Sequence, residues 1–128
     1  MIREVDDFKL IDSFFKKFFP QYKSSSDPFE CFYGYFESDK LIGLISVSKI
    51  YEREEINYIA VDSDFQKKGI GSSLLDYATN GFEVISLEVA CDNESAIEFY
   101  LSNGFEVRSV RKGYYGTTDG YLMVKEVR

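Results

Sequence analysis

Two stretches of this 128-residue chain carry side chains that could do chemistry: "LEVACDNESAIEFY", residues 87 to 100, and "QKKGIG", residues 66 to 71. Histidine is absent, which removes Ser-His-Asp and Cys-His nucleophilic systems and the usual imidazole metal ligands. Acid–base chemistry therefore falls to Asp, Glu, Tyr, Lys or Cys. Glu88 lies in a strand-like run whose alternation puts it on one face with Ser86 and Ala90, while Ile85, Leu87 and Val89 line the other. A carboxylate on a central strand is partly desolvated, and desolvation raises its pKa toward the range of a general base. Tyr100 follows twelve positions later, two turns into the next helix. The second stretch places two glycines and two lysines between an apolar run and an amphipathic one. Backbone N–H groups and the positive end of a helix make such a loop a cradle for phosphate.

Two nucleotide motifs can be tested against that loop. A Walker A sequence is excluded, because no GK[ST] follows the glycines. The dinucleotide fingerprint GxGxxG is met at Gly69 and Gly71 but has Leu74 in its third place, although Glu88 lies near the expected acidic position. That fingerprint also runs almost directly from strand to glycine, whereas seven residues, Asp62 to Lys68, intervene here. A nicotinamide-dependent oxidoreductase would have to work through this incomplete fingerprint.

The elements that must position these residues follow from periodicity. Phe8, Ile11, Phe14, Phe15 and Phe18 recur at helical steps and predict an amphipathic helix ended by Pro20, with its aromatic stripe in the core. "CFYGYFES", "KLIGLISVSKI" and "EEINYIAV" predict a three-stranded antiparallel meander between residues 31 and 61. A helix from residue 70 is ended by Asn80-Gly81, and a strand, "FEVISLEVAC", follows. Asp92 and Asn93 are good N-caps for a helix over residues 94 to 103, which closes at Asn103-Gly104 with Phe105 placed for a Schellman contact. Two last strands, near 105 to 112 and 120 to 127, are joined by "GYYGTTD". The order, β-helix-βββ-α-β-α-ββ, predicts an α/β (α+β) fold, a mixed central sheet flanked by helices, with the segment 56 to 91 as a right-handed parallel crossover.

Composition bounds the rest. At 45% hydrophobic and 17% aromatic, residues 1–128 are expected to form one domain around one core. The start has no apolar h-region and no stretch approaches a membrane span, so the expected setting is cytoplasmic, without a membrane partner. Cys31 and Cys91, sixty positions apart, fit reduced thiols better than a disulfide or zinc site, and no metal is expected. A net charge of −7 is opposite to what a nucleic-acid binder needs and weakly favours a cationic ligand.

"QKKGIG", with its lead-in "IAVDSDF", resembles the Q/R-x-x-G-x-G/A loop of the GNAT superfamily of N-acetyltransferases. The similarity extends over residues 56 to 124, and the element order resembles the whole fold. The resemblance implies that acetyl-CoA is the co-substrate. Its pyrophosphate would be held by Lys67, Lys68, Gly69, Ile70, Gly71 and Ser72, and Gln66, which opens the loop, would belong to the same cofactor-binding set. It also implies that strand 56 to 61 splays from strand 84 to 91, so that Ile59, Ala60 and Val61 offer backbone groups to the pantetheine arm, and that Asn93 contacts the cofactor. "LEVACDNESAIEFY" is similar to a segment of the ribosomal-protein-alanine N-acetyltransferases, in which the glutamate is general base and the tyrosine general acid. That assigns deprotonation of the amine to Glu88 and protonation of the departing thiolate to Tyr100. "RKGYYGTTDGYLMVKE" looks like the substrate hairpin of the same enzymes, which gives Tyr114 and Tyr115 a substrate-binding role.

The expected function is acetyl transfer from acetyl-CoA to a primary amine by direct attack in a ternary complex, with a peptide or protein N-terminal α-amine as one acceptor. A small-molecule amine or polyamine acetyltransferase, and a non-catalytic acyl-CoA-binding module, stay open. Two departures bear on the acceptor. The helix after Gly71 is about a turn short, and Asp27-Pro28-Phe29 stands where relatives often have Pro-Trp.

Overall fold

The computed structural model describes residues 1–127, and its elements follow the predicted order. They are β1 (Ile2–Glu4), α1 (Phe8–Phe18), β2 (Glu30–Glu37), β3 (Lys40–Ile50), β4 (Arg53–Val61), a short 3-10 turn (Ser63–Phe65), α2 (Ile70–Thr79), β5 (Val84–Ala90), α3 (Glu94–Ser102), β6 (Glu106–Tyr115) and β7 (Thr118–Glu126). The strands form one seven-stranded sheet in the order β1-β2-β3-β4-β5-β7-β6. Among the described residues β4 and β5 are its one parallel pair, joined through α2.

Each sheet face buries its own apolar cluster. Ile11, Phe14 and Phe15 of α1 pack with Phe32, Phe36, Leu44 and Ala60 on one side. On the other side Leu74, Leu75 and Ala78 of α2 meet Ile45, Val47, Ile56, Leu87 and Met123. The start of α1 is capped by Asp7, whose Oδ1 accepts from the N–H groups of Lys9 and Leu10 at 3.1 and 3.2 Å. The predicted aromatic stripe is only partly core. Phe8 is 58% exposed, edge-on to Phe32, because it occupies the first helical position, beyond the edge of the sheet cluster.

The α3 terminus is a Schellman cap, as its sequence predicts. Gly104 has φ +92°, the Phe105 N–H donates to the Tyr100 carbonyl at 3.0 Å, and that of Gly104 to Leu101 at 3.1 Å. Phe105 is buried and its ring meets that of Tyr100 at 5.6 Å. The cap therefore fixes both the backbone and the ring of Tyr100.

The last hairpin corrects the sequence reading. The predicted loop 113–119 is mostly strand, closed by a tight turn at Gly116 and Thr117. Gly113 and Gly116 take positive φ, and Asp119 Oδ1 accepts from the Gly113 N–H at 2.9 Å, so a local irregularity takes up the polar residues without ending the ladder. Cys31 and Cys91 are free, half-buried thiols. Among the described residues no helix is long and apolar enough to cross a membrane.

Candidate active site

The parallel pairing of β4 with β5 is confined to Arg53–Glu55 against Val84–Ser86. Beyond it the strands separate, because β3 stays with β4 to Val61 and β7 stays with β5 to Ala90. The edge of β4 from Ile56 onward thus faces a gap rather than a ladder, and unpaired backbone groups there are available to an extended ligand. A bulge opposite Ser46 and Val47 leaves Asn57 as an extra residue at the opening. The gap is the floor of a cleft of about 770 Å³.

At one end of the cleft lies the glycine loop. Lys67 and Gly69 both adopt positive φ, +62° and +81°. The first is an uncommon conformation for a side-chain-bearing residue, of the kind held at functional loops. Gly69 is the N-cap of α2 and supplies no side-chain cap, and the first turn carries no acidic residue. The N–H groups of that turn are left for a ligand, and the positive helix end favours an anion. A Cβ on Gly71 would lie 3.2 Å from the Phe99 ring, so glycine lets α2 and α3 approach closely beside the cleft.

The chemical pair lies further along. Glu88 is on β5 with its side chain 15% exposed. Its Oε1 forms an ion pair with Arg111, 2.8 Å from Nε, while Oε2 is buried without a hydrogen-bond partner. Burial pushes its pKa up, Arg111 opposes this and Glu55 adds to it. Tyr100, buried between Phe99 and Phe105, has its hydroxyl pushed up to about 12 by burial and by Tyr115. It therefore stays a protonated donor throughout the neutral range. Tyr115, which lines the same cleft, is raised by burial first, then by Tyr114, Glu88 and Tyr58.

Thirteen of the predicted residues line this one cleft: Ile59, Ala60, Val61, Gln66, Lys67, Gly69, Ile70, Gly71, Ser72, Glu88, Asn93, Tyr100 and Tyr115. Lys68 and Tyr114 do not. Lys68 Nζ sits over the Phe65 ring, 5.4 Å from its centroid, and Tyr114 stands edge-on against Tyr115 at 4.9 Å. Gln66 lines the cleft, but its Nε2 donates to the Val61 carbonyl at 2.9 Å, so it ties the loop to β4. Asn93 does two things, lining the cleft while its Oδ1 accepts from the Ala96 N–H at 3.3 Å as the cap of α3.

Several lining residues carried no sequence signal of their own. Phe18, Phe19, Asn57 and Tyr58 also line the cleft. The Tyr58 ring packs on Phe15, Phe19 and Tyr22. The Arg111 contact to Glu88 was likewise invisible, since it depends on two strand pairings.

A sheet split between two parallel strands, with a helix N-terminus at one end and a carboxylate and a tyrosine along it, is the site architecture of an acyl-CoA-dependent acyltransferase. The acetyltransferase (GNAT) family model matches residues 2–105, and the chain belongs to that family. It is 33% identical over 89 residues to the [ribosomal protein bS18]-alanine N-acetyltransferase of Escherichia coli, covering 66% of this chain and 60% of that protein. The matched regions span 31% to 60% of the first curated relatives' own lengths. Among solved structures, Ard1 from Thermoplasma volcanium superimposes with a TM-score of 0.82 at 25% identity, over 100% of this chain and 97% of that one. A putative streptothricin acetyltransferase from Bacillus anthracis, in complex with acetyl coenzyme A, gives 0.72 at 21% identity, over 80% and 65%.

Proposed function

We propose that this chain, acting as one domain, moves an acetyl group from acetyl-CoA to a primary amine by direct attack in a ternary complex. The observation that carries the reading is the unpartnered Oε2 of Glu88, buried beside a cleft whose far end is an uncapped helix N-terminus.

The residues present fit acetyl-CoA. Gly69, Ile70, Gly71 and Ser72 offer N–H groups to the pyrophosphate with the Lys67 charge beside them, and the open edge at Ile59 and Val61, whose backbone groups point away from β3, offers partners to the pantetheine arm. When bound, acetyl-CoA supplies an activated thioester. Glu88 Oε2 takes a proton from the incoming ammonium, directly or through a water, and frees the nitrogen lone pair for attack. A backbone N–H on the β4 edge stabilises the negative charge that builds on the acyl oxygen. Tyr100 gives its proton to the leaving sulfur as the carbon–sulfur bond breaks, and the second proton of the attacking nitrogen, shed as the amide forms, returns the tyrosine to its neutral state. A non-catalytic acyl-CoA-binding module would use the loop but not this carboxylate.

For the acceptor, we infer a peptide with a free α-amine. The cleft combines the apolar surfaces of Phe18, Phe19 and Tyr58 with the polar groups of Asn57 and Tyr115, which suits a short extended chain. An α-amine, with a reference pKa near ~8 against ~10.4 for lysine, is also easier to deprotonate. A cytoplasmic setting belongs to the same proposal. Coenzyme A release should be followed across peptides with free and blocked N-termini, amino acids, spermidine and aminoglycosides. Turnover with free-N-terminus peptides supports the reading. Efficient acetylation of spermidine or an amino acid, with every peptide refused, leaves acetyl transfer standing and removes the peptide acceptor.

A further inference from the structure

We propose that Arg111 is a positioning residue for Glu88, engaging Oε1 from the edge strand so that Oε2 is the oxygen that takes the acceptor's proton. This rests on the acetyltransferase reading and adds a residue that acts through the base rather than on the substrate.

Three features of the sheet support it. Arg111 is on β6, and β7 runs between it and β5. Leu122 pairs with both Glu88 and Ser109, while Gly120 pairs with both Ala90 and Arg111. Glu88 and Arg111 therefore lie in adjacent rows on one face, and Gly120, in Arg111's own row, puts no side chain on β7 between them. A Cβ on Gly120 would come within 3.0 Å of Tyr114 Cβ and 3.2 Å of Tyr115 Cε2, so the same glycine lets the hairpin tyrosines fold over the sheet beside the carboxylate. Next, the contact is single-pointed: Nε meets Oε1 at 2.8 Å, and Oε2 is left buried without a partner. An arginine that shared both oxygens would occupy the lone pairs a base needs; this one leaves one oxygen free.

The charges facing Glu88 are few. Arg111 of β6 is the cation, Glu55 of β4 is a like charge, and Tyr115 at the end of β6 is neutral over the working range. Burial and Glu55 favour the protonated acid, and Arg111 opposes them. Without the guanidinium, Glu88 would hold its proton to higher pH and could rotate, so the base would be both less available and less well aimed. Arg111 is half exposed, and its side chain is not part of either core cluster, so its replacement should leave folding intact.

The test compares wild type, Arg111→Gln and Arg111→Lys by the pH profile of kcat/KM, whose acid limb reports the base in the free enzyme. Arg111→Gln should move that limb up by roughly one pH unit, with acetyl-CoA affinity unchanged, and Arg111→Lys should restore most of the shift. A carbon NMR titration of the Glu88 carboxyl should show the same displacement without turnover. If wild type turns over and Arg111→Gln leaves both the limb and the titration in place, the positioning role is refuted and the acetyltransferase reading survives. If wild type acetylates no amine, that reading fails by itself, and the catalytic part of this proposal is refuted with it.

Discussion

Raising the pH from 4 to 8 should cost this fold stability through one side chain far from the cleft. Glu54, on β4, is 1% exposed, and neither of its carboxylate oxygens has a hydrogen-bond partner. Lys49 is its register partner on β3, but the Lys49 ammonium donates to the Tyr33 hydroxyl at 2.6 Å. Burial pushes the Glu54 carboxyl from 4.5 up to about 7, and Lys49 only partly offsets it. Because the folded pKa lies above the unfolded one, the native state binds more protons between them. Its contribution is fully present below about pH 4.5 and is lost as pH rises through 7. At 1.36 kcal/mol per pKa unit this is up to about 3 kcal/mol, trimmed toward about 2 by residual solvation. Urea unfolding of wild type and Glu54→Gln, measured at intervals from pH 4.5 to 8.5, isolates the effect, since the other titrating groups are common to both. The variant's advantage should grow with pH by about 2–3 kcal/mol and level off above 8. Parallel stability curves would show that Glu54 is solvated or paired and refute the reasoning.

Other perturbations address the site. Gly71→Glu should abolish acetyl-CoA binding, measured by calorimetry, because its side chain would meet the Phe99 ring and set a carboxylate beside the anion cradle. Tyr100→Phe should lower kcat by roughly 10²-fold or more in steady-state assays, as expected for losing a proton donor, with little change in melting temperature. Gly104→Ala should cost about 1 kcal/mol in urea unfolding, since φ is +92° and the new Cβ would lie 3.2 Å from Lys125 Cε. Through the cap it should also disturb Tyr100 and lower kcat. Tyr115→Phe should raise the peptide KM without altering acetyl-CoA affinity, whereas Tyr114→Phe, outside the cleft, should do much less.

What the sequence showed and hid divides by the range of the interaction. The glycine loop, the Asn93 cap and the Schellman turn at Gly104 are set by neighbours a few positions apart, and all were readable. Glu88 and Tyr100 were readable as types and spacing, because one strand and one short helix join them. The Arg111 contact required β5–β7 and β7–β6 registers, which no local pattern encodes. The direction of Lys68 onto Phe65, the exposure of Phe8 and the place of Tyr114 against Tyr115 depend on side-chain packing, so the loop and hairpin read from the sequence include residues that do not line the cleft. Glu54 gave no signal, since strand alternation marks a residue as inward-facing but cannot show that an inward glutamate lacks a partner.

The most direct measurement is the turnover of Glu88→Gln beside its affinity for acetyl-CoA, using the best amine found for wild type. Glutamine keeps the size of the side chain and can still meet Arg111, but it cannot take a proton. The account predicts a loss of roughly 10²–10⁴-fold in kcat with acetyl-CoA affinity unchanged. A Glu88→Gln enzyme that turns over at the wild-type rate would contradict it and leave the carboxylate no part in deprotonating the amine.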